Sequence, residues 1–287
     1  MHHFHYKKNE LYCEDVPLAK IAAEVSTPCY VYSHATLTRH YQVFDKAFES
    51  LPHLICFAMK ANSNIAVLRT FVKNGVKTIK IKLGKNAQED VERVRLIRAA
   101  VSPSIGLRID ANQGWFFKEA VESLNAMADF DVQFCEQPIH HHYDYLLPGL
   151  RERSRVKIMA DESVFNHYDA IRLIEAKAVD YINVKLAKSG GILEAIMIAD
   201  TAQGYGIPCM LGGMLESRLA LTAKAHLAMA NDNFIFYDLD TCLLGQLEDP
   251  VLGGARYREF QIEITDEPGI AADIDPIFLK KCQGVMI

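Results

Sequence analysis

The sequence predicts a (β/α)8 barrel with an N-terminal extension and a short C-terminal tail. Short β-branched or aromatic runs alternate with helical patterns of about a dozen residues, which is typical of βαβ units around a parallel sheet. Eight such strands can be counted, and eight strand–helix units fit a single barrel within the 287 residues. An open doubly wound sheet is the structural alternative, but its GxGxxG turn after the first strand is absent.

The elements follow one another in a regular order along the chain. Strands are predicted over residues 54–59, 78–83, 105–110, 132–136, 157–160, 181–185, 208–211 and 234–238. Helices are predicted over residues 65–73, 87–100, 117–127, 143–151, 168–176, 192–203 and 218–230. The helix at 143–151 has the weakest pattern because Pro148 interrupts it.

Two segments stand outside this alternation, so we expect a barrel at residues 51–245 between an extension at 1–50 and a tail at 246–287. The extension has strand-like pieces at 10–13 and 29–33 and an amphipathic stretch at 37–48. The tail contains the strand-like run GGARYREFQIEI. Strand-like pieces without a second sheet to pair with favour either a disordered arm or a homo-oligomer.

Composition excludes several classes of function. Half of the residues are hydrophobic and 23% are charged, which fits a globular chain. The net charge of −5 supplies no basic field for nucleic acid, and no apolar stretch is long enough to cross a membrane. The seven cysteines include no CxxC pair, which argues against a disulfide framework and favours the cytoplasm.

Charged residues close five consecutive predicted strands. In order they are Lys82 (with Lys80 two residues earlier), Asp110, Glu136, Asp161 and Lys185. Since the carboxyl ends of barrel strands meet at one face, all of them should surround one pocket. A structural network of ion pairs is the alternative reading for any single member of this set.

Three converging carboxylates repel one another, and a hard divalent cation with oxygen ligands relieves that repulsion. Asp110, Glu136 and Asp161 are therefore predicted to bind Mg²⁺. Lys82 and Lys185 would place amines on both sides of the metal, which suits proton transfer if burial and nearby positive charge lower their pKa.

From about residue 76 onward, the chain resembles the barrel domain of the enolase superfamily, muconate-lactonising subgroup. The motifs that carry the resemblance are IKIKLG, DANQGW, CEQP, ADES, NVKLAKSGGI and GGMLES. The resemblance implies removal of a proton α to a carboxylate that is bound to Mg²⁺. It implies acid/base roles for Lys82 and Lys185, an electrostatic role for Lys80, and a place for Glu216 in the pocket.

The end of the eighth strand narrows the substrate. Asp238 and Asp240 resemble the DxD element of dipeptide epimerases, and two carboxylates two residues apart can hold a substrate α-ammonium group. This favours an L-Ala-D/L-Glu type of epimerase, with a small dipeptide as substrate, over muconate cycloisomerase or succinylbenzoate synthase. A solvated turn is the alternative for these two residues.

The first 75 residues resemble a different family, the PLP-dependent diaminopimelate decarboxylases, through LYCEDVPLAKIAAE, TPCYVYS and FAMKANSN. That resemblance implies a Schiff-base role for Lys60. It stands where the enolase superfamily has its cap domain, so the chain is interpreted as a chimera. Two alternatives to the epimerase follow: an inactive barrel that keeps its metal ligands, and a PLP-dependent amino-acid decarboxylase.

Two further features of the fourth unit are predicted to be structural. His140, His141 and His142 follow the strand directly, and because adjacent residues rarely converge on one ion, we expect an exposed loop there. Cys135 precedes Glu136 and should therefore face away from the barrel interior.

Overall fold

The computed structural model describes residues 3–47, 56–58, 62–239, 248–258 and 261–282. The chain opens with three short strands and two helices: β1 (Phe4–Lys7), β2 (Glu10–Cys13), β3 (Val16–Pro17), α1 (Leu18–Val25) and α2 (His34–Ala47). The three strands form a small antiparallel sheet in chain order. The strand-like piece at 10–13 is confirmed, whereas the strand predicted at 29–33 is wrong, since those residues form no strand.

Eight parallel strands form the centre of the molecule. They are β4 (Cys56–Ala58), β5 (Thr78–Lys82), β6 (Gly106–Asp110), β7 (Val132–Glu136), β8 (Ile158–Ala160), β9 (Tyr181–Val184), β10 (Cys209–Leu211) and β11 (Phe234–Tyr237). Each strand pairs with the next one along the chain, which is the strand order of a (β/α)8 barrel. The fold class is confirmed, and the seven strands from β5 to β11 lie within two residues of their predicted bounds. Residues 54, 55 and 59 of the first predicted strand lie outside the described residues.

Helices connect the strands. They are α3 (Ile65–Lys73), α4 (Ala87–Ala100), α5 (Phe117–Met127), α6 (Leu147–Arg153), α7 (His167–Glu175), α8 (Leu186–Ser189), α9 (Ile192–Gly204) and α10 (Arg218–Ala230), with short 3-10 helices at Ala128–Phe130 and His141–Leu146. None of the helices in the described part of the chain has both the length and the apolar character needed to cross a bilayer.

Asparagines determine where three of these helices begin. The side chains of Asn64, Asn86 and Asn166 accept hydrogen bonds from backbone N–H groups in the first turns of α3, α4 and α7. The start of the helix predicted at 143–151 was wrong, because α6 begins only at Leu147, after a 3-10 helix. Pro148 lies in the first turn of α6 and does not interrupt the helix. Proline is tolerated there since that N–H has no intrahelical partner.

The tail adds β12 (Val251–Gly253), β13 (Arg256–Arg258), β14 (Gln261–Glu263), β15 (Ala272–Ile274) and α11 (Pro276–Leu279). β12 pairs with β15, and β13 pairs with β14, both antiparallel. The strand-like run GGARYREFQIEI therefore contains two strands that pair with each other, and its residues 259 and 260 lie outside the described residues.

Side chains alternate between the two faces of the barrel sheet. Ile79 and Ile81 are fully buried in the apolar layer between strands and helices, which leaves Lys80 and Lys82 to point inward. Lower in the barrel, Phe134, Met159 and Met210 form a separate apolar cluster. The guanidinium of Arg108 lies 4.4 Å from the ring centre of Phe236 in the same region. The barrel interior is therefore filled mainly by apolar and aromatic side chains in its lower part, and by charged side chains at the carboxyl ends of the strands.

Candidate active site

The strand register brings the predicted charged residues together. Lys82 pairs with Asp110 across β5 and β6, and Asp110 pairs with Glu136 across β6 and β7. Asp161 directly follows β8, and Lys185 directly follows β9. Asp110, Glu136 and Asp161 are 1%, 0% and 2% exposed. Carboxylates buried to this extent require positive charge beside them.

Three lysines supply that charge. The Nζ of Lys80 lies 2.8 Å from Glu136 Oε2, 3.7 Å from Asp110 Oδ2 and 3.5 Å from Asp238 Oδ2. Lys82 donates a hydrogen bond to Asp110. On the other side of the site, Lys185 Nζ lies 2.5 Å from Asp161 Oδ2. All six residues predicted for metal binding, proton transfer and electrostatic support thus form one charged cluster.

Burial and the neighbouring carboxylates shift the pKa of these lysines in opposite directions. Burial lowers the pKa of Lys80, but the carboxylates of Glu136, Asp110 and Asp238 more than offset it and raise the pKa above its ordinary value. The same balance, led by burial and then by Asp161, raises the pKa of Lys185. The predicted lowering of the lysine pKa depends on the charge of a bound metal ion, and without that ion the pKa of Lys185 is raised.

Sequence reasoning missed three polar residues that complete the cluster. Lys188 Nζ lies 2.7 Å from Asp161 Oδ1 and donates to the carbonyl of Asn183 at 3.1 Å. The side chain of Asn183 donates to Glu136 Oε1 at 2.8 Å. Glu162 lies next to Asp161 and accepts a hydrogen bond from Asn112 at 2.8 Å. Each of the three lies in the same sequence motif as a predicted site residue, and that proximity in the sequence could have identified it.

Gln137, from the CEQP motif, positions the backbone that carries Asp161. Its Oε1 accepts the backbone N–H groups of Asp161 at 2.8 Å and Ser163 at 3.3 Å. Its Nε2 donates to Ser163 Oγ at 2.7 Å. One fully buried side chain therefore holds the loop after β8 in place.

Asp90 plays the same part for the loops after β5 and β6. Its Oδ2 accepts the backbone N–H of Gly84 at 2.7 Å and the indole N–H of Trp115 at 3.1 Å. Trp115 is buried, and it packs into the core at the end of the DANQGW loop.

The donor set fits a hard divalent cation. Asp110, Glu136 and Asp161 offer the oxygen ligands that Mg²⁺ takes, on three adjacent strand ends. The buried Oε2 of Glu162 has no hydrogen-bond partner, and burial followed by the charge of Asp161 raises the pKa of this carboxyl group. This excess of carboxylate oxygens is what a bound cation would neutralise.

The structure separates the residues predicted for substrate binding. Asp238 lies in the cluster through Lys80, whereas Glu216 Oε2 lies 2.9 Å from Lys224 Nζ and Glu216 Oε1 accepts the backbone N–H of Met214. Asp240 and Lys60 lie outside the described residues.

A small cavity of about 50 Å³ opens between the two sides of the site. Its lining residues are Ala58, Lys80, Lys82, Glu136, Lys185, Gly213 and Asp238. Among the described residues, a space of this size holds a few water molecules. A larger hollow of about 610 Å³ lies beside Lys157 and Asp180, at the opposite end of the strands from these groups.

The three adjacent histidines do not behave as predicted. The ligand nitrogens of His140, His141 and His142 all lie within 4.8 Å of one another, so the expectation that they would not converge is wrong. Burial, then the neighbouring His142 and His140, lower the pKa of His141. Cys135 is fully buried in the layer between the sheet and the helices, which confirms that it faces away from the barrel interior.

Comparison with known proteins agrees with this geometry. Residues 65–277 match the family model described as "Enolase C-terminal domain-like". The chain belongs to this enolase family. Among its curated relatives, the D-Ala-D/L-Ala epimerase of Cytophaga hutchinsonii is 42% identical over 216 residues, covering 75% of this chain and 58% of that protein. The L-Ala-D/L-Glu epimerase of Clostridium acetobutylicum is 44% identical over 207 residues, covering 70% and 57%.

Solved structures of the enolase family show the same likeness. A dipeptide epimerase from Cytophaga hutchinsonii, complexed with Mg and the dipeptide D-Ala-L-Val, superposes with a TM-score of 0.71. It is 35% identical, and the match covers 87% of this chain and 73% of that one. The chain spans a little under three fifths of the length of the two curated relatives.

Proposed function

We propose that this chain is a Mg²⁺-dependent epimerase that removes and returns the proton α to the carboxylate of a small dipeptide, of the L-Ala-D/L-Glu type. One observation carries the proposal: Lys82 and Lys185 line the same cavity from opposite sides of three buried carboxylates. The resemblance to epimerases of 42–44% identity supports the same reaction.

In this proposal Asp110, Glu136 and Asp161 hold the metal. Bound Mg²⁺ would neutralise the substrate carboxylate and the negative charge that develops on it as the α-proton leaves. Lys80 lies beside Glu136 and Asp110 and would add a fixed positive charge at the same place.

The two acid/base lysines face the α-carbon from opposite sides. One amine takes the proton from one face and the other ammonium group returns a proton to the other face, which inverts the configuration. Each lysine must first leave its carboxylate, Asp110 for Lys82 and Asp161 for Lys185. Asp238 and Asp240 would hold the substrate ammonium group, and Glu216 would line the pocket near the substrate carboxylate.

The test is proton NMR of Ala-Glu, Ala-Ala and Ala-Val dipeptides in D₂O, with Mg²⁺ and then with excess chelator. We expect chelator-sensitive loss of the Cα–H signal and appearance of the second epimer. Lys82→Ala and Lys185→Ala should each abolish inversion, while each retains exchange in only one epimer, opposite for the two variants. Lys118→Ala, which removes an exposed lysine of α5, should behave as the unsubstituted chain.

The alternative is a barrel that keeps the metal site without turnover. It is favoured by the direct contacts of Lys82 and Lys185 with Asp110 and Asp161 and by the small volume between them. Mg²⁺ binding by a folded chain, without exchange in any dipeptide, would establish it and contradict the epimerase.

A PLP-dependent decarboxylase is the second alternative to the epimerase. A PLP-dependent decarboxylase that uses Lys60 would show an absorbance band that Lys60→Ala removes. Four further points stay predictions. They are the decarboxylase-like origin of the first 75 residues, the domain boundaries at residues 50 and 245, a cytoplasmic location and a homo-oligomer.

A further inference from the structure

A second group of metal-ligating side chains lies outside the carboxylate site. His140, His141 and His142 follow β7 at the carboxyl-end rim of the barrel, where the 3-10 helix His141–Leu146 begins. Their ring centres lie 4.1–4.7 Å apart, and one nitrogen of each ring lies within 4.8 Å of the others.

The local backbone explains why three consecutive side chains converge. His140 is extended, with φ −61° and ψ 137°, and it precedes the first turn of the 3-10 helix. Its Nδ1 accepts the backbone N–H of His142 at 3.2 Å, which folds the first ring over the third residue. The ring of His141 stacks on the ring of His140.

Gln113 fixes which nitrogen of His141 is available. Its Oε1 accepts the backbone N–H of His141 at 3.0 Å, so an oxygen must occupy that position. The same oxygen lies 2.8 Å from His141 Nδ1, which must therefore carry the hydrogen. His141 Nε2 is then the unprotonated nitrogen. An oxygen that accepts from the second ring nitrogen is the usual outer partner of a metal-binding histidine.

The same loops are tied to the carboxylate site without sharing its ligands. The backbone N–H of Gln113 donates to the carbonyl of Gln137 at 2.8 Å. Asp144, in the 3-10 helix, accepts a hydrogen bond from Ser163 at 2.6 Å, in the loop after Asp161. The loops that carry the histidine cluster are therefore fixed to the rim of the barrel by hydrogen bonds.

We propose that His140, His141 and His142 form a second metal site, for an imidazole-preferring ion of the Zn²⁺ class. Imidazole nitrogens suit Zn²⁺, whereas the all-oxygen set of Asp110, Glu136 and Asp161 suits Mg²⁺, so the two sites select different ions. Three histidine ligands leave a fourth position of a tetrahedral ion to water. His140 gives up its hydrogen bond from the backbone N–H of His142 when it turns to the metal.

The experiment is a Zn²⁺ titration of the full chain by calorimetry, in the presence of saturating Mg²⁺. We expect one Zn²⁺ bound per chain, with affinity that Mg²⁺ does not change. His141→Gln should weaken binding at least 100-fold. Gln113→Leu keeps all three histidines and removes only the orienting oxygen, so it should weaken binding about 10–100-fold.

The N-terminal histidines provide the matched control, since His3 and His5 are exposed imidazoles of the residue type that suits Zn²⁺. A variant with His3→Gln and His5→Gln should bind Zn²⁺ as the unsubstituted chain does. Binding that disappears in this control and persists in His141→Gln would overturn the proposal, as would the absence of binding below millimolar Zn²⁺. Circular dichroism of each variant shows that a loss of binding is not a loss of fold.

Discussion

Lys224 is a fully buried lysine whose charge is balanced by one neighbour. Its Nζ lies 2.9 Å from Glu216 Oε2, and it donates to the carbonyl of Gly212 at 3.4 Å. Removing one member of a buried ion pair costs far more than replacing both, because the remaining charge stays in a poorly solvated place. This pair therefore supports the loop after β10, next to the cavity.

We predict that Lys224→Met lowers the free energy of unfolding by about 3–5 kcal/mol, since Glu216 loses the ammonium group that neutralises it. The double variant Glu216→Gln with Lys224→Met should recover much of that loss. Urea unfolding followed by circular dichroism measures both. Equal destabilisation in the single and double variants would mean that packing, and not charge, determines the effect.

The sequence predicted the charged residues at the carboxyl end of a strand or directly after it, and missed charged residues farther into the loops. Lys82, Asp110 and Glu136 are recognisable because each is a charged residue at the end of an apolar run. In a barrel, the carboxyl end of a strand is where the active site lies. Lys188 and Glu162 lie in loop segments, where charged residues are usually solvated. Their contacts with Asp161 and Asn112 depend on loop conformation, which no periodicity encodes.

At the scale of the elements, the loops after β5 and β6 approach each other at two glycines. A Cβ on Gly114 would lie 2.0 Å from the carbonyl oxygen of Gly84, and one on Gly84 would lie 1.9 Å from the carbonyl of Ala111. Gly84 also has a φ of +96°, which side chains rarely adopt. The close approach places Asp110 and Asn112 relative to Lys82.

Gly114→Ala should therefore force these loops apart, destabilising the chain by about 1–3 kcal/mol or more and weakening Mg²⁺ binding. Gly204→Ala is the matched control, because Gly204 ends helix α9 with no atom within 4 Å of an added Cβ. It should be neutral or slightly stabilising. Thermal unfolding with and without Mg²⁺ compares the two, and equal effects would contradict the role given to the close approach.

The N-terminal sheet is attached to helix α2 through Glu14. Its carboxylate accepts hydrogen bonds from Ser33 Oγ at 2.7 Å and from the backbone N–H of Ala35 at 2.9 Å. The bond from Ala35, followed by that from Ser33, lowers the pKa of Glu14 below its ordinary value. Residues 3–47 therefore include an ordered sheet, although the sequence allowed a disordered arm.

A lowered folded-state pKa makes this attachment depend on pH in a known direction. Its stabilisation is present above the ordinary pKa of a glutamate and is lost as pH falls through the lower folded-state value. We predict that protection of the Ala35 amide against hydrogen exchange, corrected for intrinsic rates, decreases over that acidic range. In Glu14→Gln, protection should be weaker and nearly independent of pH. A pH response that survives in Glu14→Gln would assign it to another group.

At the scale of the whole molecule, the barrel was predictable because its signal repeats. Every strand has the same role, so errors of one or two residues at a boundary leave the count and order unchanged. The segment at 29–33 was not predictable in this way, because a short apolar run is a strand only where another strand pairs with it. Its neighbour in the fold is the carboxylate of Glu14, which binds Ser33 and not a strand edge.

Metal binding at the three carboxylates should increase the stability of the whole folded chain. The carboxylates of the site are buried and lie beside lysines. An ion that binds only the folded state stabilises it by an amount that grows with the logarithm of the ion concentration above its dissociation constant. We predict that Mg²⁺ at 100 times its dissociation constant stabilises the chain by about 2.7 kcal/mol, which raises the melting temperature by several degrees. Glu136→Gln should lose this shift, while His141→Gln should keep it. A Mg²⁺ shift that survives in Glu136→Gln would place the ion away from the three strand ends, and with it the chemistry assigned to Lys82 and Lys185.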